Sequence, residues 1–131
     1  MSAASIVIAC PDFVRSGHIV PIRIRSGGTT YPLRGLIDTG ATRTVLGEAV
    51  AAPLRLACVG TGKLTTAGGN VHGWIGLAAL GIGALPAHVI RLAVIQTVPW
   101  DEFDVLVGRD ILSRFRVVFD GPEQRLVITG C

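Results

Sequence analysis

A chain of 131 residues is the length of one domain, which excludes a large multidomain enzyme. Half of its residues are hydrophobic and only 16% are charged, so there is ample material for a core and the composition of a disordered chain is absent. The net charge of +3, with a pI near 9.1, permits nucleic-acid binding. The arginines are scattered, however, with no basic run and no interleaved aromatics to stack bases, so nucleic acid is not the expected partner.

Aromatics make up 5% of the chain while Gly reaches 17 residues, which points to a core of Val, Ile, Leu and Ala between many turns, that is, to β structure. Residues 5–10 and 18–25 read as strands. In the second, Ile22 and Ile24 alternate with Arg23 and Arg25, the period of a half-buried strand. Ser26, Gly27 and Gly28 supply a turn, and residues 29–37 return as the second arm of a hairpin. A short helix is expected at 47–52, stopped by Pro53. Two glycine-rich strands joined at Gly68-Gly69-Asn70 follow, then strands at 87–95 and 105–107. Asp110 is expected to cap a short helix with Ile111, Leu112 and Phe115 on one face. Residues 116–120 and 125–129 close the chain as a hairpin around Gly121-Pro122.

Cys10, Cys58 and Cys131 cannot all pair within one chain and show no Cys-x-x-Cys spacing, so neither a disulfide framework nor a metal site is expected. His18, His72 and His88 each stand alone and are expected in solvated or core roles. The start lacks a basic region, and the longest apolar stretch, 74–85, falls short of the roughly 18 residues of a membrane helix. A cytoplasmic protein, or a soluble domain of a longer membrane-associated one, is expected, with residues 1–131 forming a single domain.

One segment carries chemistry. Leu36-Ile37-Asp38-Thr39-Gly40-Ala41 places a carboxylate directly after an apolar strand and before a turn that glycine lets bend sharply. An Asp-Thr-Gly triplet arises by chance in about 3% of chains this long. Taken alone, it is equally read as an ordinary turn with Asp38 accepting backbone N–H groups. A second segment, Asp104-Val105-Leu106-Val107-Gly108-Arg109-Asp110, runs an apolar strand into a glycine and a helix start, with Gly108 standing 70 residues after Asp38.

In order and separation these two segments resemble the signatures of the retropepsins, the retroviral-type aspartic proteases and their cellular and bacterial relatives. The resemblance spans about residues 18–129. It implies a mainly β, closed barrel-like acid-protease fold with one or two short helices, working as a homodimer without a cofactor. It further implies that Asp38 is the catalytic aspartate, that the Thr39 hydroxyl bonds across the dimer axis, and that the Gly40 carbonyl meets the substrate backbone. Ala41, Leu36 and Leu106 would face the substrate, and Gly108 and Arg109 would mark the helix start. Thr66, Ala67, Gly68 and Gly69 would form the tip of a flap over the bound peptide.

Hydrolysis by an aspartic dyad needs two neighbouring carboxylates, and this chain holds one Asp-[Ser/Thr]-Gly. The implied enzyme is therefore an endopeptidase built from two Asp38 residues, one from each subunit, acting on a peptide or protein substrate. By family analogy the terminal strands supply the interface. The competing reading is a catalytically inactive dimerisation or peptide-binding module of the same fold. Where viral enzymes place another Asp to hold the arginine of Gly-Arg, this chain has Thr42. Arg109 must then find a backbone carbonyl, Asp104 or Asp110. Trp100 is expected as an anchored loop aromatic.

Overall fold

The computed structural model describes residues 4–66 and 68–130, and leaves the side chain of Thr66 undescribed. Ala67 and Cys131 therefore lie outside the described residues. The chain order is β1 (Ser5–Ala9), α1 (Phe13–Ser16), β2 (Ile19–Ser26), β3 (Thr29–Ile37), β4 (Val45–Gly47), α2 (Glu48–Leu54), β5 (Ala57–Thr66), β6 (Gly69–Ile82), β7 (His88–Ile95), β8 (Val105–Val107), α3 (Arg109–Leu112), β9 (Phe115–Asp120) and β10 (Arg125–Gly130).

Strands β2, β3, β8, β4, β7 and β6 hydrogen-bond in that order, and the pairing of β2 with β6 closes them into a six-stranded barrel. Alternation decides which side chains fill it. Ile22 and Ile24 of β2 are buried while Arg25 is exposed, and Leu80 and Ile82 of β6, Leu92 of β7, and Val105 and Val107 of β8 complete the interior. The β2–β3 hairpin turns on Gly27 and Gly28, whose φ values of 57° and 81° give the two-residue turn that suits twisted strands. β3 also shows why Gly35 is needed: a Cβ there would sit 2.5 Å from Ile22 Cγ1 and 2.9 Å from Val107 Cγ2.

The terminal strands form a separate antiparallel sheet, β1-β10-β9, whose central strand buries Leu126 and Ile128 in the same hydrophobic cluster as the barrel. Within the chain the terminal strands thus pair with one another, and β1 and β9 each keep one open edge.

Several expectations need correction. Pro53 does not stop α2 but lies inside it. Its fixed φ is helical and it forfeits only one N–H, so the helix runs to Leu54 and ends where Arg55 turns left-handed at φ 52°. Asp110 is not the cap of α3. That place belongs to Gly108, and Phe115 begins β9 rather than sharing a helix face. Gly69 and Asn70 do not belong to the turn but to β6, paired with Thr66 and Thr65, and of the expected turn residues only Gly68 stands outside the strands. The one-turn helix α1 and the three-residue β4 were not foreseen.

His18 is held between two rings, stacked on Phe13 at 4.9 Å and edge-on to Phe119 at 5.0 Å. Burial pushes its imidazole below the ordinary value of 6.5. The unfolded chain therefore takes up the proton first. The contribution to stability is whole above that value and declines as pH falls through it towards the folded value. We expect His18→Phe to remove this share of acid sensitivity, read as a smaller loss of urea-unfolding stability between about pH 7 and about pH 5.

Candidate active site

Asp38 leaves the end of β3 with its backbone fixed on both sides. Its N–H donates to the Val107 carbonyl at 2.9 Å, and the preceding Ile37 N–H donates to the His18 carbonyl at 3.0 Å. Its Oδ1 accepts the Gly40 N–H at 2.8 Å, and a Cβ on Gly40 would lie 3.1 Å from that same oxygen. The ordinary turn in which Asp38 accepts a backbone N–H is therefore present, but it occupies one carboxylate oxygen only. Asp38 is half-buried, and Thr39 and Gly40 are exposed.

Strand alternation places Leu36 with Asp38. Gly35 and Ile37 are buried in the barrel, so Leu36 and Asp38 point to its other face. Leu36 lies opposite Leu106 in the parallel β3–β8 pairing, and both are half-buried. This puts two of the expected pocket residues side by side next to the carboxylate.

The loop after Asp38 is clamped to the start of α3. The Ala41 carbonyl accepts the Arg109 N–H at 2.8 Å. A Cβ on Gly108 would stand 2.6 Å from the Arg43 carbonyl carbon and 2.7 Å from its oxygen, so only glycine fits. The Arg109 guanidinium donates to the Thr39 carbonyl at 2.8 Å and to the Thr42 hydroxyl at 3.2 Å. Of the acceptors open to Arg109, the backbone carbonyl is the one used, and Thr42 itself supplies the second. Asp104 is engaged elsewhere, accepting the Arg34 N–H at 2.9 Å.

Thr44 was missed by the sequence reading. It is fully buried, and its hydroxyl donates to Asp110 Oδ1 at 2.7 Å while accepting the Gly108 N–H at 3.2 Å. Its own N–H donates to Asp110 Oδ2 at 2.9 Å. The available signal was a Thr six residues after Asp38 and an Asp two residues after Gly108, which only the folded pairing of the two segments relates.

The β5–β6 hairpin forms an arm. β6 pairs with β7 from Gly73 onward, so among the described residues 61–66 and 69–72 find their strand partners across the hairpin. At its root the Trp74 indole N–H donates to Glu48 Oε2 at 2.9 Å. Gly68 and Gly69 stand at the end of this arm, and Asp38, Thr39, Gly40, Ala41, Leu36, Leu106, Gly108 and Arg109 gather where β3 and β8 end. The expected tip residue Ala67 is outside the described residues. Trp100 stacks on Phe103 with ring centres 5.0 Å apart, as an anchored loop aromatic should. Among the described residues no group of three His, Cys, Asp or Glu could hold a metal ion, and no helix is long and apolar enough to cross a membrane.

The gag-polyprotein aspartyl protease model matches residues 23–114, which contain both segments. This chain belongs to that family of aspartic proteases. Solved structures of similar fold include a retropepsin-like aspartic protease from Rickettsia conorii, 20% identical over 98% of this chain and 92% of that one, with a TM-score of 0.63. The EIAV protease in complex with the inhibitor HBY-793 is 24% identical over 73% of this chain and 85% of its own, with a TM-score of 0.59. The retroviral protease-like domain of Ddi1 from Leishmania major gives a TM-score of 0.52 at 15% identity, over 84% of this chain and 87% of that one. At such identities these structures establish the retropepsin fold. No curated protein sequence matches the chain.

For this retropepsin-like chain the clamp on the aspartate loop predicts a stability cost. We expect Thr44→Val to leave the Gly108 N–H without its partner in a buried setting and to take one of the hydrogen bonds from Asp110 Oδ1, lowering unfolding free energy by about 1–3 kcal/mol. Thr44→Ser, which keeps the hydroxyl, should lose less in the same denaturant titration.

Proposed function

We propose that the protein is an aspartic endopeptidase, with residues 1–131 acting as a single protease domain and two copies bringing their Asp38 residues together. The observation that carries the reading is the fixed, half-buried Asp38, with one oxygen held by Gly40 and the other without a partner among the described residues. A single carboxylate cannot both activate water and polarise a carbonyl. Two at close range cannot both ionise, so they share one proton and divide the work.

In this mechanism the ionised Asp38 removes a proton from water as the water oxygen bonds to the scissile carbonyl carbon. The protonated Asp38 of the other copy donates to the carbonyl oxygen. Collapse of the tetrahedral intermediate breaks the C–N bond, and a proton passes to the leaving amine. Leu36 and Leu106 would bind apolar substrate side chains beside the dyad. Arg109 acts as a positioning residue through the Thr39 carbonyl. The exposed Thr39 hydroxyl is available to a second copy across the axis, and the 61–72 arm is suited to fold over bound peptide as a flap.

Asp38→Asn should keep the dimer, measured by light scattering, and lower peptide hydrolysis by about 10²–10⁴-fold. Generation of new termini in a denatured protein mixture between about pH 3 and about pH 7 is the assay. Equal cleavage by mutant and wild type would overturn the proposal, and peptide binding without turnover at any pH would favour the inactive module.

A further inference from the structure

The carboxylates are unevenly distributed. All nine lie at positions 12, 38, 48, 101, 102, 104, 110, 120 and 123, so the stretch 49–100 contains none. Strands β2, β3, β5, β6 and β7 consequently carry no acidic side chain at all, yet they hold Arg23, Arg25, Arg34, Lys63 and Arg91. Arg55 stands two residues before β5.

Three of these cations share one side of the barrel. The edge of β6 that pairs with β5 as far as Leu77 pairs with β2 from Ala79 onward, so the end of β2 and the start of β5 meet there. Arg25 lies opposite Ala79, which lies opposite Val89 on β7, and Leu77 lies opposite Arg91. Ile24, Ala78, Leu80, Ile90 and Leu92 are buried, so Arg25, Leu77, Val89 and Arg91 project outward. Leu77 is 39% and Val89 65% exposed. Beside Arg25, a groove of about 420 Å³ opens between the β2–β3 turn and the end of α2, lined by Ser26, Thr29, Tyr31, Pro53 and Arg55. Arg23 is different, since its guanidinium is spent on the Gly83 and Leu85 carbonyls. Arg25, Arg55 and Arg91 are exposed, and their guanidinium groups have no hydrogen-bond or ion-pair partner among the described residues.

We propose that this carboxylate-free face docks an acidic, extended protein segment, independently of the proposed protease reaction. Arg25 and Arg91 stand two strands and one pleat apart, about 12 Å by sheet spacing. An extended chain places side chains i and i+4 on one face at about 13 Å. Carboxylates at those positions meet the two guanidiniums, and an apolar side chain at i+2 rests on Leu77 and Val89. Nucleic acid fits less well. Exposed Leu and Val between the cations have no counterpart on a phosphate backbone, and the one aromatic of β5, β6 and β7, Trp74, is half-buried and bonded to Glu48.

The test uses the full chain carrying Asp38→Asn, so that the probe is not consumed. A fluorescein-labelled peptide repeating Glu-Ser-Leu-Ser should bind in anisotropy titrations, with affinity falling as salt rises from about 50 to about 300 mM. The same peptide with Gln for Glu, and the variant Arg25→Glu/Arg55→Glu/Arg91→Glu, should each weaken binding by about tenfold or more. Circular dichroism and Tm verify that the variant folds. If charge reversal unfolds it, the triple Gln variant gives the same reading. Absence of binding, equal binding by the variant, equal binding of the Gln peptide, or tighter binding of a U12 RNA overturns the proposal.

Discussion

The structure around Asp38 depends on one contact made without side chains, the approach of the loop backbone at Ala41 and Arg43 to Gly108. At 2.6–2.7 Å from a virtual Cβ this contact admits no residue but glycine. It joins two segments far apart in sequence, and each further bond follows from it. Once the backbones touch, Thr44 falls within reach of Asp110, Arg109 within reach of Thr39 and Thr42, and Asp38 hangs from the Val107 carbonyl. The aspartate is thereby carried by strand ends and a buried polar network rather than by a mobile loop, which is how a reactive group is kept in one geometry.

Charge is used sparingly in that network. Asp104 and Asp110 both accept backbone N–H groups, and the one guanidinium in the clamp rests on a carbonyl and a hydroxyl instead of a carboxylate. Thr42 in place of an acidic residue thus removes an ion pair from the neighbourhood of Asp38 without removing the tether.

Much of the architecture was readable from local pattern. The β2–β3 hairpin announced itself through alternation and Gly27-Gly28, and β8 through its apolar run before Gly108, because in both the local preference and the tertiary role agree. β4 was not readable: three residues give no period, and Val45–Gly47 is a strand only because β7 and β8 flank it. The role of Asp110 was misread for a related reason. As a residue before an apolar helix start it resembled a cap, but its partner is Thr44, 66 residues away. Pro53 misled because a breaker near a helix end removes just one hydrogen bond. At the site, Asp38, Gly108 and Arg109 were legible as a spaced motif, whereas Thr44 became visible only through burial.

β6 serves two ends of the molecule at once. Its C-terminal half is stitched to β2 and β7, where a one-residue slip would turn every buried side chain outward. Before Gly73 its strand partner among the described residues is β5, and there the chain can gain or lose residues in pairs, one on each side of the turn, without shifting the barrel's register. Length variation among relatives should therefore collect in 61–72 and leave Gly73–Ile82 untouched, so that reach over a substrate can be retuned while the frame that holds Asp38 stays constant.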